Sequence, residues 1–231
     1  MNEVQSGTGR KLLLVHGLGG SRASWSTVME PLSVDKTVIA IDLPGHGATP
    51  AEPDSGTFDS LVGSVERYIA DKGLDGIDAV GSSMGARIVL ELARRGRVGN
   101  VVALDPGGFW RGWERTFFKA TIGISGRLLR AIRPALLTLS KNAASRTALL
   151  AQLSARPWAL DPKTVATELE SLSTTPTFDA LVHDLSSGSE QTGPAADPSH
   201  QIVIGWAMID YACRAGGAGK GRLSLRQFAL V

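Results

Sequence analysis

Several features that mark broad classes of protein are missing from this sequence of 231 residues. It has one cysteine, Cys213, so no disulfide can form within the chain. No apolar run is long enough to cross a bilayer, and residues 1–10 lack the apolar core of a signal peptide. The formal net charge of +2 is too small to mark a binder of polyanions, and no metal-ligating cluster is evident. We therefore expect a cytoplasmic protein without an integral membrane segment, a metal site or a nucleic-acid partner.

What is present is the composition of a globular protein with a sizeable core. Hydrophobic residues make up 43% of the chain and charged residues 20%. Short apolar runs predict four buried strands, at residues 11–15, 37–41, 77–80 and 101–104. They alternate with segments of helical spacing, such as 58–69 and 86–95. Strands that are apolar on both faces and alternate with helices indicate an α/β fold with a mostly parallel, doubly wound sheet.

The composition changes twice along the chain, which predicts three parts. Residues 1–105 carry the alternation of strands and helices and form the first part of the core. Residues 106–185 favour helix and are predicted to form a helical cap inserted over the sheet. This segment holds seven of the thirteen aromatic residues: Phe109, Trp110, Trp113, Phe117, Phe118, Trp158 and Phe178. Residues 186–231 are predicted to complete the core, with a strand at 201–204 and an atypical Gly-rich, basic tail from about residue 211.

The strongest chemical signal is the pattern Gly-x-Ser-x-Gly at residues 81–85. It lies between a predicted strand and a predicted helix, where the serine must occupy a sharp turn that exposes its hydroxyl. Small neighbours are needed because a side chain on either glycine would meet adjacent backbone. The pattern predicts Ser83 as a nucleophile. The alternative is an ordinary glycine-rich turn between a strand and a helix.

A second glycine-rich loop, His-Gly-Leu-Gly-Gly at residues 16–20, follows the first predicted strand. Glycines let backbone N–H groups face a developing oxyanion without steric cost. The competing interpretation is a dinucleotide-binding loop, because Gly17 and Gly19 begin that fingerprint and Asp42 ends the next strand. Arg22 stands where the fingerprint requires its third glycine, so we expect no nucleotide and no other cofactor.

A third motif, Asp-Leu-Pro-Gly-His-Gly at residues 42–47, favours a turn that His46 pins by hydrogen bonding. Together the three motifs resemble those of α/β-hydrolases with a helical cap, most of which are esterases, lipases and related serine hydrolases. The resemblance covers about residues 11–210 and is most specific before the cap. It implies a serine hydrolase that cleaves a small, apolar carboxylic ester or related acyl substrate through an acyl-enzyme on Ser83.

The resemblance also implies roles for residues around Ser83. The backbone N–H groups of Leu18 and Met84 match the oxyanion-hole donors of the family. The segment Gly-Trp-Ala-Met-Ile-Asp that ends at Asp210 is similar to the pattern that presents the family's catalytic acid. Asp105, after the preceding predicted strand, is the alternative acid, and its other interpretation is a turn residue.

The family's catalytic base is missing from its expected place. The chain order in this fold is serine, acid, histidine, and no histidine follows Asp210. His16 and His46 belong to turns, whereas His183 and His200 lie in the cap and the connector, where a solvated position is the main interpretation. One hypothesis is that a last strand, the base and a final helix have been lost by truncation or frameshift. The alternative is a catalytically impaired member that binds a ligand or a partner protein.

Aromatic residues of the cap indicate the apolar part of the substrate site. Trp110, Trp113 and Phe117 are predicted to line a pocket over Ser83, and the alternative is that they pack the cap onto the sheet. Residues 115–133 mix basic and apolar side chains, which fits a surface helix that touches membranes or a cap helix with a solvated face. A serine at position 83 argues against a dehalogenase, which needs an aspartate there.

Overall fold

The computed structural model describes residues 1–110, 112–151, 154, 156–188 and 190–206. These contain a sheet of six strands: β1 (Glu3–Ser6), β2 (Arg10–Val15), β3 (Lys36–Ile41), β4 (Ile77–Ser82), β5 (Val98–Leu104) and β6 (Ile202–Gly205). Their spatial order is β1-β3-β2-β4-β5-β6, and every neighbouring pair is parallel except β1 with β3. The mostly parallel sheet, with helices between its strands, confirms the predicted α/β fold class.

Within the described residues the α-helices fall into two groups. Three alternate with the first strands: α1 (Ser26–Leu32), α2 (Phe58–Asp71) and α3 (Met84–Arg94). Five others lie between β5 and β6: α4 (Trp113–Ala131), α5 (Leu136–Lys141), α6 (Ala143–Leu150), α7 (Pro162–Thr174) and α8 (Phe178–Ser187). We call this second group, residues 113–187, the helical insertion.

Both faces of the sheet are buried, as the apolar strands predict. Successive side chains of a strand point to opposite faces. Leu13 and Val15 of β2 belong to the large core that contains the apolar faces of α2 and α3. Leu12 and Leu14 belong to a second cluster on the opposite face, which Trp25 covers. The sheet is therefore doubly wound.

The helical insertion has a small core of its own and is also anchored to the sheet. Its internal core consists of five buried residues: Leu129, Leu136, Leu150, Val165 and Leu169. Leu181 and Leu185 of α8 instead join the large core beneath. The insertion is therefore packed against the sheet through α8, and α4 packs on both α7 and α8.

The strand order reverses at the centre of the sheet. The chain passes from β2 outward to β3 and then crosses back to β4 on the other side of β2. In an open parallel sheet, ligands bind at the carboxyl ends of the strands beside such a reversal. Gly17 follows β2 and Ser83 follows β4, so both predicted glycine motifs lie at this position.

The edge strand β1 was not predicted from the sequence. It pairs antiparallel with β3, with Glu3 opposite Ile41. The Glu3 carboxylate accepts a hydrogen bond of 2.6 Å from the Tyr68 hydroxyl and lies 3.1 Å from Lys72 Nζ. The Tyr68 hydrogen bond lowers the pKa of Glu3, and burial raises the pKa of Tyr68. These contacts tie the edge strand to α2.

The first turn of α3 lies against the end of β2 with no room for a side chain. A Cβ on Gly85 would stand 2.2 Å from the Val15 carbonyl oxygen and 2.4 Å from that of His16. Those oxygens belong to backbone, which cannot move aside without displacing the strand. The contact therefore requires glycine at this position.

We predict that Gly85→Ala lowers the free energy of unfolding by about 3 kcal/mol or more, because the added methyl overpacks rigid backbone. Gly123→Ala is the matched control, since Gly123 lies within α4 with nothing within 4 Å of its would-be Cβ. The control should stabilise the protein by up to about 1 kcal/mol. Urea unfolding followed by circular dichroism measures both variants, and equal effects of the two would disprove the close contact.

Candidate active site

Ser83 occupies a strained turn between β4 and α3. Its backbone angles are φ 53° and ψ −114°, in a region that residues other than glycine rarely adopt. Such a conformation costs about 1–3 kcal/mol and persists only where its surroundings enforce it. Here the Ser83 N–H donates to the Leu104 carbonyl at 2.8 Å, which holds the turn against β5. The Ser83 side chain is exposed at the carboxyl end of the sheet, as a nucleophile requires.

Three glycines let the backbone close around this serine. A Cβ on Gly81 would stand 2.2 Å from the Gly85 carbonyl oxygen, so neither end of the motif tolerates a side chain. A Cβ on Gly17, in the loop after β2, would stand 3.1 Å from Ser83 Cβ. The two glycine motifs of the sequence therefore meet at the Ser83 side chain.

The residues of the two predicted oxyanion donors, Leu18 and Met84, line the same cavity as Ser83. Met84 is the first residue of α3, and no side chain caps that helix, so its N–H lacks a partner within the helix. The Gly17 carbonyl accepts from His16 Nδ1 at 2.7 Å and from the Gly20 N–H at 3.1 Å. Because a trans peptide points its carbonyl and its N–H in opposite directions, the Leu18 N–H points away from those donors.

His16 supports this loop as a neutral imidazole. Its Nε2 accepts from the Leu43 N–H at 3.0 Å, so the proton lies on Nδ1, which donates to Gly17. Burial, with a smaller contribution from His46, lowers the pKa of His16 to about 3. Both ring nitrogens are occupied by backbone, and His16 is therefore part of the scaffold.

The Asp42 turn packs behind the same loop. The buried Asp42 carboxylate accepts from the backbone N–H groups of Arg22 at 2.7 Å and Ala48 at 2.9 Å, and it pairs with the Arg22 guanidinium. His46 is buried as well, and its Nδ1 donates to the Pro44 carbonyl at 3.1 Å. Burial lowers the pKa of His46. The structure thus places His46 in the turn-pinning position that the sequence suggests.

Only one of the two candidate acids lies among the residues that the structure describes. Asp105 follows β5 and lines the same cavity as Ser83, with a positive φ of 47°. Its N–H donates to the Gly205 carbonyl at 2.7 Å, which fixes it between β5 and β6. Asp210 lies outside the described residues. The structure therefore brings Asp105 to the site, and Asp210 stays a prediction.

No imidazole lines the Ser83 cavity in the part of the chain that the structure describes. His183 is exposed on α8, with Nδ1 3.2 Å from Lys119 Nζ. His200 lies in the connector, 3.7 Å from the Asp197 carboxylate. Among these same residues there is also no group of three side chains that could hold a metal ion.

The cavity over Ser83 has a volume of about 640 Å³. The carboxyl ends of the strands form one wall, and the helical insertion forms the other, chiefly through Phe118, Ile122, Leu129, Leu172 and Phe178. Trp110 stacks on Phe118 with ring centroids 4.0 Å apart. The part of the cavity opposite Ser83 is therefore aromatic and aliphatic.

Only one of the three predicted substrate-binding aromatics lies in this wall. Trp110 lines the cavity, whereas Trp113 and Phe117 are 72% and 55% exposed. The ring centroids of Trp113 and Phe117 are 5.9 Å apart. Phe118 and Phe178 line the cavity and were not predicted. The helical period could have indicated Phe118, because adjacent residues of a helix point about 100° apart.

A smaller chamber of about 280 Å³ adjoins the cavity along the glycine loop. It shares Leu18 and Leu172 with the larger cavity and reaches Trp25 and Glu168. Glu168 Oε2 accepts from the Ser24 hydroxyl at 2.8 Å, and burial raises the pKa of Glu168. Its Oε1 and the Trp25 indole N–H are buried and have no hydrogen-bond partner among the described residues. This end of the space can therefore receive a polar group.

Residues 11–166 match the model of a protein family described as alpha/beta hydrolase fold. The chain belongs to the α/β-hydrolase fold family. It is 34% identical over 107 residues to a dihydrolipoyllysine-residue acetyltransferase component of an acetoin cleaving system from Cupriavidus necator. The aligned segment covers 46% of this chain and 29% of that protein. It is 30% identical over 139 residues to an N-formylmaleamate deformylase from Pseudomonas putida, which covers 54% of this chain and 52% of that protein.

The α/β-hydrolase fold is also shared with solved structures. An esterase from Thermogutta terrifontis superposes with a TM-score of 0.62 at 20% identity, covering 89% of this chain and 73% of that chain. At this identity the likeness concerns the fold alone. The chain spans only about a third to a half of the length of the two curated relatives, 29% and 52%.

We predict that His16 makes stability depend on pH. Its pKa is about 3 in the folded protein and about 6.5 when unfolded, so below pH 6.5 the unfolded state binds the extra proton. The stability contributed by neutral His16 is therefore present above pH 6.5 and is lost as pH falls, by about 1.4 kcal/mol per pH unit.

Urea unfolding of the wild type and of His16→Gln between pH 6.5 and pH 5 measures this slope, and the variant should show a shallower one. Identical slopes for the two proteins would show that His16 takes up a proton in the folded state.

Proposed function

We propose that this protein is a serine hydrolase that cleaves a small, apolar carboxylic ester or related acyl substrate through an acyl-enzyme on Ser83. The observation that carries the proposal is the strained, exposed Ser83 at a cavity that Leu18 and Met84 also line. In this scheme residues 106–185 form the cap over a core made of residues 1–105 and 186–231.

The reaction would proceed in two acyl transfers. Ser83 Oγ bonds to the carbonyl carbon, and the oxyanion forms toward the N–H groups of Leu18 and Met84. The bond to the leaving alkoxide then breaks, and the alkoxide takes the proton that Ser83 gave up. Water repeats the sequence on the acyl-enzyme and releases the acid. Asp210, or Asp105 as the alternative, is the proposed catalytic acid.

The wall chemistry supports an apolar acyl or alkyl group. Trp110 and Phe118 offer a stacked aromatic surface over the reacting position. Glu168 and Trp25 lie at the far end of the adjoining chamber and suit a substrate with one polar terminus. The relative named as a deformylase is an enzyme that by name acts on an acyl group, which supports acyl chemistry here.

A second candidate function follows from the composition of the cavity wall, because no imidazole lines the Ser83 cavity among the described residues. A serine hydroxyl is a weak nucleophile unless a base takes its proton. A member of the family without such a base would retain the cavity and bind an apolar acyl ligand without turning it over. Loss of one triad member lowers catalysis by several powers of ten.

We predict that a fluorophosphonate, which reacts with activated serines, adds one label to the purified chain. Ser83→Ala should abolish the label, because the reacting oxygen is gone. Ser82→Ala is the matched control, since Ser82 is the adjacent, half-buried serine and should leave labelling in place. Intact-protein mass spectrometry measures the added mass. A folded wild type that binds a fatty acid saturably yet stays unlabelled would reject the hydrolase and support the binding protein.

We further predict that Trp110 sets the preference for alkyl length. Labelling by a long-chain alkyl phosphonate should slow by about tenfold in Trp110→Ala, because a large apolar contact is lost, whereas a short-chain reagent should be little affected. Trp113→Ala removes the same side chain from an exposed position outside the cavity and should change neither rate. Equal effects of the two substitutions would place the alkyl group elsewhere.

A further inference from the structure

The longest helix of the insertion, α4, has apolar residues on two opposite faces. Its inner face contributes Phe118, Ile122 and Leu129 to the cavity wall. On its outer face four large side chains remain in solvent: Trp113 at 72%, Phe117 at 55%, Ile124 at 62% and Leu128 at 52% exposure. We call these four residues the outer stripe.

The outer stripe is continuous along the helix. Its members are separated by four, seven and four positions, the spacing that keeps side chains on one side of an α-helix. Trp113 and Phe117 already contact each other, and Ala120 and Ala131 are exposed at the intervening and final turns. With 19 residues, α4 extends about 28 Å, so the stripe is too large to be read as scattered exposed apolar residues.

The segment that carries the stripe has an excess of basic residues. Residues 113–150 carry seven basic side chains and one acidic side chain, Glu114, although the whole chain has a net charge of only +2. Of the seven, Arg146 is buried within the insertion. Arg115, Arg130 and Arg133 form ion pairs with acidic residues outside this segment. Arg127, which is exposed directly beside Leu128, forms no ion pair within the described residues.

We propose that α4 docks on the surface of an anionic lipid bilayer, with the outer stripe in the interfacial region and the basic side chains at the headgroups. The apolar face of the helix matches the acyl-chain boundary of the bilayer, and the flanking lysine and arginine match its negatively charged headgroups. A second copy of the chain fits less well, because a symmetric contact would bring two basic faces together. No helix in the described ranges has the length and hydropathy to span a bilayer, so docking is peripheral.

This proposal is independent of whether Ser83 is catalytic. The inner face of the docking helix borders the Ser83 cavity, so a docked molecule would hold the cavity next to the lipid phase. A ligand with an apolar chain, taken from the bilayer, would then reach the cavity across a single helix.

Sedimentation with vesicles tests the proposal on the intact chain. We expect binding to vesicles of phosphatidylcholine mixed with phosphatidylglycerol, weaker binding to phosphatidylcholine alone, and weakening by salt. The double variant Trp113→Ser/Phe117→Ser should lower the partition coefficient by at least about tenfold, because two large apolar contacts are lost. Arg127→Gln should lower it by about fivefold, the effect of one charge near an anionic surface.

Val34→Ser is the matched control, since Val34 is 84% exposed in the loop before β3, away from α4 in the fold, and should leave partitioning unchanged. Circular dichroism establishes that each variant is folded. Absence of binding to both kinds of vesicle, or equal losses in Val34→Ser and the double variant, would overturn the proposal. So would a wild-type dimer in sedimentation velocity that the double variant abolishes, because the stripe would then be an interface between copies.

Discussion

The site around Ser83 depends on the close approach of the first turn of α3 to the end of β2. Gly85 lies where any side chain would strike the carbonyls of Val15 and His16. This contact brings the loop that carries Leu18 close to the N-terminus of α3, and Leu18 and Met84 both line the Ser83 cavity. An oxyanion site made of backbone needs such proximity, because main-chain donors cannot reach outward as side chains can.

Buried polar groups behind the loop hold that arrangement. His16 joins the carbonyl of Gly17 to the N–H of Leu43, and Asp42 joins Arg22 to the turn that follows β3. Burying such groups costs free energy unless each is hydrogen-bonded, and here the bonds link successive loops at the carboxyl edge of the sheet. A histidine near a candidate nucleophile therefore need not be its base, since both nitrogens of His16 are committed to backbone.

Sequence reasoning predicted the central sheet because its signal is local. Leu13 and Leu14 are apolar residues at successive positions, which indicates burial on both faces of the sheet. The mostly polar strand β1 has no such pattern, and it is held in the sheet by its pairing with β3. Ser83 and Leu18 could be named for the same reason, since short contiguous motifs position them. The helical period of α4 could have indicated Phe118, whereas Glu168 could not be named, because the packing of α7 determines whether it faces the adjoining chamber.

Phe117 and Phe118 show how one helix serves two surfaces. Phe118 stacks on Trp110 in the cavity, while its neighbour Phe117 lies beside Trp113 in solvent. Because α4 is a continuous helix of 19 residues, rotating it to bury the outer stripe would withdraw the cavity wall from Ser83. The outer stripe can be covered without that loss only by something outside the helical insertion. The apolar lining of the cavity and the exposure of the stripe are thus consequences of the same helix orientation.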